Sequence, residues 1–370
     1  MSVSLIICGD FRAANPAIVK MSDEVKDLFN HSDLQVCNFE APVHTPGAKP
    51  IKKSGPALEQ SADSPALLMN LGFNVILLAN NHIMDYGREG CEATIRAFSQ
   101  VATVGAGSAD DAFAVRYFEI NGITVGLLSL VQKEFGTIDG KDSEDYGAAW
   151  ICSPDVPDII KEAKSHCGFL LVLPHAGAEY ASAPLPGWRS LYKRFIDYGA
   201  DAVIASHPHC PQGWETYKGK PIYYSLGNFY FDELTFNDLW YKGLVLELTI
   251  GDGLDVKEHF VCFDDKTGMI AFDRSDRIRK HIERANRLIS DTAEYERYID
   301  RICSARWPGY KYGLLRGLCG VSLRMKFKDI IRLSGGVVLG KKDEMYLLNV
   351  LQCESHRWMV ERYLRNKNIV

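Results

Sequence analysis

The sequence predicts an α/β fold with a helical C-terminal region. Residues 1 to about 210 alternate short apolar runs with segments of helical periodicity. The apolar runs are nearly continuous, which is typical of parallel strands that helices cover on both faces. After about residue 273 the strand patterns end, and helical periods rich in Arg and Lys follow. We therefore expect a parallel-rich sheet in residues 1–272 and a helical region in residues 273–370.

The individual elements follow from hydrophobic periodicity and turn residues. The predicted strands are residues 4–8, 34–37, 73–78, 168–173 and 202–205. The predicted helices lie near residues 16–30, 88–100, 155–165 and 188–198. Asn121-Gly122 predicts a type I′ hairpin between residues 117–120 and 123–128. Lys218-Gly219 predicts a second hairpin turn, and residues 244–250 and 256–263 are predicted to be antiparallel strands.

Composition and charge exclude several classes of protein. The net charge of −5 predicts no general affinity for nucleic acid. The first ten residues lack a basic segment and look like a strand rather than a signal peptide, and no apolar run reaches the roughly 20 residues of a transmembrane helix. The ten cysteines contain no C-x-x-C spacing. We therefore expect a cytoplasmic protein with reduced thiols.

Polar residues follow five of the predicted strands directly. They are Gly9-Asp10, Asn38-Phe39-Glu40, Ala79-Asn80-Asn81-His82, Pro174-His175 and Ser206-His207-Pro208-His209. The carboxyl ends of parallel strands open on one edge of a sheet, where ligands bind. We expect two carboxylates, Asn81 and four histidines to meet there.

This set of side chains predicts a metal centre. Imidazole and carboxylate together suit Zn, Mn or Fe. Two neighbouring cations can hold a phosphoryl group and lower the pKa of water between them. Asp85, three residues after His82, is positioned to orient that imidazole.

These motifs resemble those of the CapA family of capsule and poly-γ-glutamate synthesis proteins, which is related to the calcineurin-like metallophosphoesterases. The resemblance covers residues 1 to about 250 and includes three longer motifs in the family's order. They are Ala79-Asn80-Asn81-His82-Ile83-Met84-Asp85-Tyr86-Gly87, His207-Pro208-His209-Cys210-Pro211-Gln212-Gly213-Trp214-Glu215 and Tyr224-Ser225-Leu226-Gly227-Asn228-Phe229. The resemblance implies a four-layer α/β/β/α metallophosphoesterase-like sandwich.

The resemblance also implies roles for single residues. One or two divalent ions (Mn, Fe or Zn) are expected: Asp10 and His209 would bind the first, and Asn81, His175 and His207 the second. Glu40 stands at the position of the carboxylate that bridges the two ions.

His82 would be the general acid, with Asp85 behind it. Substrate contacts are expected from Asn38, Lys52, Lys53, Glu179, Tyr180, Gln212 and Asn228. One departure is Arg12, because phosphoesterases carry a histidine at this position. Arg12 is expected either to bind a phosphate or carboxylate in a bidentate manner or to form a salt bridge.

The function expected from the resemblance is metal-dependent hydrolysis of a phosphoric ester, in the context of capsule, poly-γ-glutamate or other polymer biosynthesis. Its partner would be an anionic small molecule or polymer. Two alternatives remain open: a non-catalytic component that binds an anionic polymer, and a metal-dependent amide hydrolase.

The C-terminal region carries one separate expectation. Residues 314–339 mix apolar residues with five cations, namely Arg316, Arg324, Lys326, Lys328 and Arg332. This pattern predicts either a basic helix in peripheral contact with a membrane surface or a helix packed on the core with an exposed basic face.

Overall fold

The computed structural model contains two β-sheets packed face to face. It describes residues 2–319, except 234 and 236, and residues 341–368. The strands are β1 (Val3–Arg12), β2 (Lys20–Met21), β3 (Leu34–Phe39), β4 (Val75–Leu77), β5 (Ala102–Val104), β6 (Ala106–Ser108), β7 (Arg116–Ile120), β8 (Ile123–Val131), β9 (Thr137–Ile138), β10 (Tyr146–Ala149), β11 (Phe169–His175), β12 (Ala202–Ile204), β13 (Trp214–Tyr217), β14 (Lys220–Tyr223), β15 (Asn228–Phe231), β16 (Lys242–Ile250), β17 (Leu254–Asp264) and β18 (Met269–Phe272).

Helices surround the two sheets. They are α1 (Asp23–Asn30), α2 (Ser64–Asn70), α3 (Gly87–Ala97), α4 (Ala109–Ala112), α5 (Val156–His166), α6 (Pro186–Tyr198), α7 (Arg277–Ser290), α8 (Thr292–Cys319), α9 (Lys341–Gln352) and α10 (Glu354–Asn368). Two short 3-10 helices span Pro16–Ile18 and Asp238–Tyr241.

The first sheet has the strand order β2-β18-β17-β16-β1-β3-β4-β5. Strands β1, β3, β4 and β5 run parallel, whereas β16 and β17 extend the sheet in antiparallel fashion. Strand β15 pairs in parallel with the last residues of β1. The sheet therefore brings the carboxyl ends of β1, β3 and β4 to one edge.

The second sheet has the strand order β13-β14-β12-β11-β8-β7. Its inner strands β8, β11, β12 and β14 are parallel. An isolated bridge between His175, the last residue of β11, and Ser206 continues this pairing beyond the end of β12. Strands β6, β9 and β10 form a small third sheet.

The periodicity of the strands predicted a single sheet, and that part of the prediction is wrong. Leu5 and Leu171 belong to an apolar layer between two sheets, whereas Ile6 and Val172 face the helices outside. A strand buried on both faces has the same apolar pattern whether a helix or a second sheet covers it. The four-layer α/β/β/α arrangement implied by the family resemblance is confirmed.

Both predicted hairpin turns are confirmed. Asn121 and Gly122 have φ of 52° and 75°, and Lys218 and Gly219 have φ of 52° and 78°. Positive φ at both central residues defines a type I′ turn. The helix predicted over residues 16–30 is wrong in its first half, because Lys20–Met21 pairs as an edge strand with β18. That pairing joins residues far apart in the sequence, which local periodicity does not reveal.

The described C-terminal helices pack on the two-sheet core. Ile278 and Ile282 of α7 belong to the layer between the sheets. Ile299 of α8 and Met359 of α10 join the apolar layer outside the second sheet. Among the described helices, none combines the length and apolarity that a membrane span requires.

The membrane-surface helix predicted at residues 314–339 falls mostly on residues 320–340, which lie outside the described part of the chain. The division of the chain at residues 272 and 273 also stays a prediction.

A group of ion pairs joins the second sheet to α6. Glu215 on β13 accepts hydrogen bonds from Nε and Nη2 of Arg189 at 2.6 and 2.8 Å. The Tyr224 hydroxyl donates to the same carboxylate at 2.5 Å. Burial opposes ionisation of Glu215, but the hydrogen bonds from Arg189 and Tyr224 lower its pKa to about 2. Glu215 therefore stays charged at all but the most acidic pH.

This ion pair predicts a pH dependence of stability. A lowered pKa means that the carboxylate stabilises the fold above the unfolded-state pKa of 4.5, and that this stability is lost as the pH falls toward about 2. After allowance for solvent screening, we expect Glu215→Gln to lower the free energy of unfolding by about 1–2 kcal/mol at neutral pH. Urea unfolding at a series of pH values measures the difference in the free energy of unfolding between wild type and variant. This difference should become smaller below pH 4.5. The exposed Glu361→Gln is the control, and an equal loss at every pH would contradict the prediction.

Candidate metal centre

The centre begins where β1 passes beside β15. A Cβ on Gly9 would lie 1.8 Å from the carbonyl oxygen of Gly227, so only glycine fits between the two strands. Asp10 follows directly, and its backbone N–H donates to Gly227 O at 3.0 Å. This close approach turns the Asp10 side chain into the edge shared by the two sheets.

Asp10 is fully buried and held by several polar groups. Its Oδ1 accepts a hydrogen bond from Asn38 Nδ2 at 2.7 Å, and its Oδ2 accepts one from the backbone N–H of His207 at 3.1 Å. Its oxygens lie 3.6 Å from His175 Nδ1 and 3.5 Å from His209 Nδ1. Burial opposes ionisation, but the hydrogen bonds and charges of these neighbours lower the pKa of Asp10. Asp10 is therefore held as a carboxylate.

Glu40, which follows β3, is the one carboxylate of the centre without a hydrogen bond. Both of its oxygens are buried and unpartnered. Its Oε1 lies 3.7 Å from His175 Nε2 and 3.6 Å from His209 Nε2. Burial and the neighbouring Asp10 raise the pKa of Glu40 well above its ordinary value. A buried carboxylate of this kind is costly unless a cation is bound to it.

Three histidines converge on these carboxylates from the second sheet. His175 ends β11, and its Nε2 lies 2.8 Å from Asn81 Oδ1 and 3.1 Å from His207 Nδ1. His209 is placed by Asn228, whose Oδ1 lies 3.0 Å from its Nδ1. Burial lowers the pKa of His175 and of His207, which favours the neutral imidazole that a metal ion requires.

The backbone around the last two histidines is strained. His207 has φ of 100° and His209 has φ of 54°, a region that residues other than glycine rarely adopt. Pro208 stands between them. Such outliers persist where surrounding contacts enforce them, and they cluster at functional sites. Both imidazoles lie close to the Glu40 carboxylate.

The ligand atoms form two groups that share one residue. Glu40, His175 and His207 form the first group, and Asp10, Glu40 and His209 form the second, each with its ligand atoms within 4.8 Å of one another. Carboxylate oxygen and imidazole nitrogen are the donors that Mn, Fe and Zn accept. The unpartnered oxygens of Glu40 lie where the two groups meet. The geometry therefore fits a divalent cation in each group, with Glu40 between them.

His82 stands outside both ligand groups. Its Nδ1 lies 2.6 Å from Asp85 Oδ2 and 3.3 Å from Lys53 Nζ. Asp85 is fully buried, also binds Lys53 through its other oxygen and accepts a hydrogen bond from Leu58 N at 2.7 Å. Burial lowers the pKa of His82, whereas Asp85 acts in the opposite direction. Because Nδ1 is engaged, Nε2 is the ring nitrogen left for a proton transfer.

The structure places the two lysines in different surroundings. Lys53 is nearly buried and forms an ion pair with Asp85, so it supports the His82–Asp85 pair, and its contact with a substrate stays a prediction. Lys52 is exposed. Arg12 forms a largely buried ion pair with Asp232 at 3.2 Å, which is one of its two expected roles. Its positive charge acts on Glu40 and partly opposes the rise in the pKa of that carboxyl.

The other residues expected at the substrate divide into two kinds. Gln212 donates to the Ala181 carbonyl at 2.8 Å, and Asn228 binds both His209 and the Trp240 carbonyl, so these amides hold protein groups. Glu179 and Tyr180 are exposed beside the centre. Tyr180 stacks on Trp240 at 5.9 Å. Like Lys52, these side chains are accessible to a ligand.

The sequence prediction did not include Gln132 and Trp240, which contact two of the histidines. Gln132 Nε2 lies 3.0 Å from His207 Nε2, and the Trp240 ring lies 4.8 Å from that of His209. Gln132 directly follows β8, as Glu40 directly follows β3, and the same rule finds it. Trp240 lies in a short 3-10 helix with no local signal.

Comparisons with known proteins agree on one family. Residues 8–233 match the family described as bacterial capsule synthesis protein PGA_cap. The PGA biosynthesis protein CapA of Bacillus subtilis (strain 168) is 35% identical over 219 residues, which cover 56% of this chain and 56% of that protein. The capsule biosynthesis protein CapA of Bacillus anthracis is 33% identical over 222 residues, which cover 56% of this chain and 53% of that protein.

The chain thus spans about half the length of the curated relatives it matches. Among solved structures, a putative 5′-nucleotidase from Staphylococcus aureus superimposes with a TM-score of 0.43 and 16% identity, covering 77% of this chain and 58% of that one.

Proposed function

The chain belongs to the bacterial capsule synthesis protein family, and we propose that it is a divalent-metal-dependent phosphoesterase. The observation that carries the proposal is the buried carboxylate of Glu40, whose two oxygens lack a hydrogen-bond partner between two groups of metal-binding side chains. Such a carboxylate is most simply explained as a bridging metal ligand. Arg12 stands at the position of one expected ligand and supplies a positive charge instead of a donor atom.

Different residues of the chain would bind the cations and transfer the proton. Asp10 and His209 would hold one cation and Asn81, His175 and His207 the other, with Glu40 shared. Bound divalent cations supply Lewis acidity for activating water and offset charge on a phosphoryl group. Nε2 of His82 would give a proton to the leaving oxygen, and Asp85 would favour the protonated imidazole.

The substrate class follows from the same chemistry. A site with two cations selects an anionic group such as a phosphomonoester or phosphodiester. The exposed side chains of Tyr180 and Glu179 would contact the rest of the substrate. The relatives named for poly-γ-glutamate and capsule biosynthesis support a substrate from polymer assembly.

The test uses the purified chain after chelation and dialysis. Mn²⁺, Zn²⁺ and Fe²⁺ are added separately, and hydrolysis of an aryl phosphomonoester and an aryl phosphodiester is followed by phenol release. We expect turnover of at least one ester that depends on added metal. His175→Ala is the matched negative variant.

A metal-loaded protein that hydrolyses neither ester would contradict the proposal. Hydrolysis of a γ-glutamyl anilide by that protein would favour the amide hydrolase. Binding of poly-γ-glutamate that persists after chelation would favour the non-catalytic polymer-binding component.

A further inference from the structure

A second group of metal-binding residue types lies where the C-terminal helices meet the loop after β8. Glu134, Cys353 and His356 place a carboxylate oxygen, a sulfur and an imidazole nitrogen within 4.8 Å of one another. None of the three belongs to the centre around Asp10 and Glu40. Cys353 and His356 also lie outside residues 8–233, which match the capsule synthesis family.

A one-residue break between two helices places Cys353 and His356 close together. Cys353 is the single residue between α9 and α10, and its N–H donates to Asn349 O at 2.9 Å. His356 follows three residues later in the first turn of α10, so its side chain lies on the same face of the chain as that of Cys353. Glu134 meets them from the core.

Asn349 orients two of the three side chains. Its Oδ1 lies 2.6 Å from His356 Nδ1, and its Nδ2 donates to Glu134 Oε2 at 2.5 Å. An imidazole that donates through Nδ1 leaves Nε2 as its ligand atom. Amide partners that fix ligand orientation in this way are common around protein metal sites.

The three donor atoms of Glu134, Cys353 and His356 favour zinc. We propose that Glu134, Cys353 and His356 form a separate Zn²⁺ site that joins the C-terminal helices to the core. Thiolate, imidazole and carboxylate are all ligands of zinc, and three protein ligands leave a fourth position for water. The thiol of Cys353 is fully buried, so a metal there would bind in a site shielded from solvent.

A zinc ion bound by these three residues would also affect the main centre, because the neighbouring residues contact it. Beside Cys353, Glu354 accepts hydrogen bonds from Lys133 N at 2.8 Å and from Trp150 Nε1 at 2.7 Å. The next residue, Ser355, lies 2.8 Å from Gln132 Oε1. Gln132 in turn contacts His207. Zinc would therefore stiffen the segment that positions one histidine of the main centre.

Cobalt provides the test, because a cysteine thiolate bound to Co²⁺ gives a near-ultraviolet charge-transfer band that oxygen and nitrogen ligands do not give. The metal-free full chain is titrated with Co²⁺ and then with Zn²⁺. We expect the band in wild type, its loss on zinc addition, and its absence in Cys353→Ser. Cys303→Ser, another buried cysteine in the C-terminal helices, should keep the band.

Two further variants separate this site from the main centre. His175→Ala/His207→Ala should lose the main centre and keep the cobalt band, whereas His356→Gln should weaken cobalt binding at least tenfold while circular dichroism stays that of wild type. Zinc analysis should find one equivalent less in Cys353→Ser than in wild type. No band in wild type, or a band that survives in Cys353→Ser, would overturn the proposal whatever the esterase activity.

Discussion

Glu40→Gln is expected to make the metal-free protein more stable and to remove its stabilisation by Mn²⁺. Glutamine has nearly the same shape but cannot ionise, so it removes the electrostatic cost of burying Glu40 beside Asp10 in the metal-free protein. That cost is on the order of 1–3 kcal/mol. The same change deletes the ligand shared by the two groups, so Mn²⁺ should bind far more weakly. Stability and metal binding thus change in opposite directions.

The measurement is thermal unfolding of the metal-free protein, prepared with a chelator, and of the same protein after Mn²⁺ is added. Mn²⁺ is chosen because it prefers oxygen and nitrogen donors and avoids the thiolate site at Cys353. Glu247→Gln is the matched control, because Glu247 is a paired carboxylate that accepts from His259 at 2.8 Å and binds Lys257. The control should lower the stability of the metal-free protein slightly and keep the response to Mn²⁺. A metal response retained in Glu40→Gln would show that the carboxylate is not a ligand.

His82→Ala is expected to lower kcat by about 10²- to 10³-fold without changing the metal content. His82 contacts Asp85 and lies outside both ligand groups, so its loss removes a proton donor and no metal ligand. The deficit should be small for an ester whose leaving group is a weakly basic phenolate and large for a strongly basic one, because only the latter needs protonation. The slope of log kcat against leaving-group pKa therefore becomes steeper in the variant.

The control for this substitution is His44→Ala, an exposed histidine that pairs with Glu59 at 3.0 Å. It should match wild type in rate, slope and metal content. A proportional loss of rate and metal in His82→Ala would assign His82 to metal binding instead. A lower rate with an unchanged slope would assign it to positioning the substrate.

The sequence was sufficient to locate the candidate centre, because its signal is local. Each relevant residue comes directly after an apolar run, as Asp10 follows the run at residues 4–8 and Glu40 follows β3. A strand followed by polar residues is recognisable within about ten residues. The hairpin turns at Asn121-Gly122 and Lys218-Gly219 are equally local, since they depend on which residues tolerate positive φ.

The tertiary structure alone decided which residues far apart in the chain lie next to each other. An apolar strand has the same sequence pattern whether a second sheet or a helix covers it. The sequence therefore did not show that the strands divide into two sheets. The ion pair of Lys53 with Asp85 and the contact of Ser355 with Gln132 join residues 32 and 223 positions apart. No periodicity links such positions, and packing alone brings them together. The sequence thus determined which residue types stand at the ends of the strands, and the fold determined which of them share a cation, a proton or a hydrogen bond.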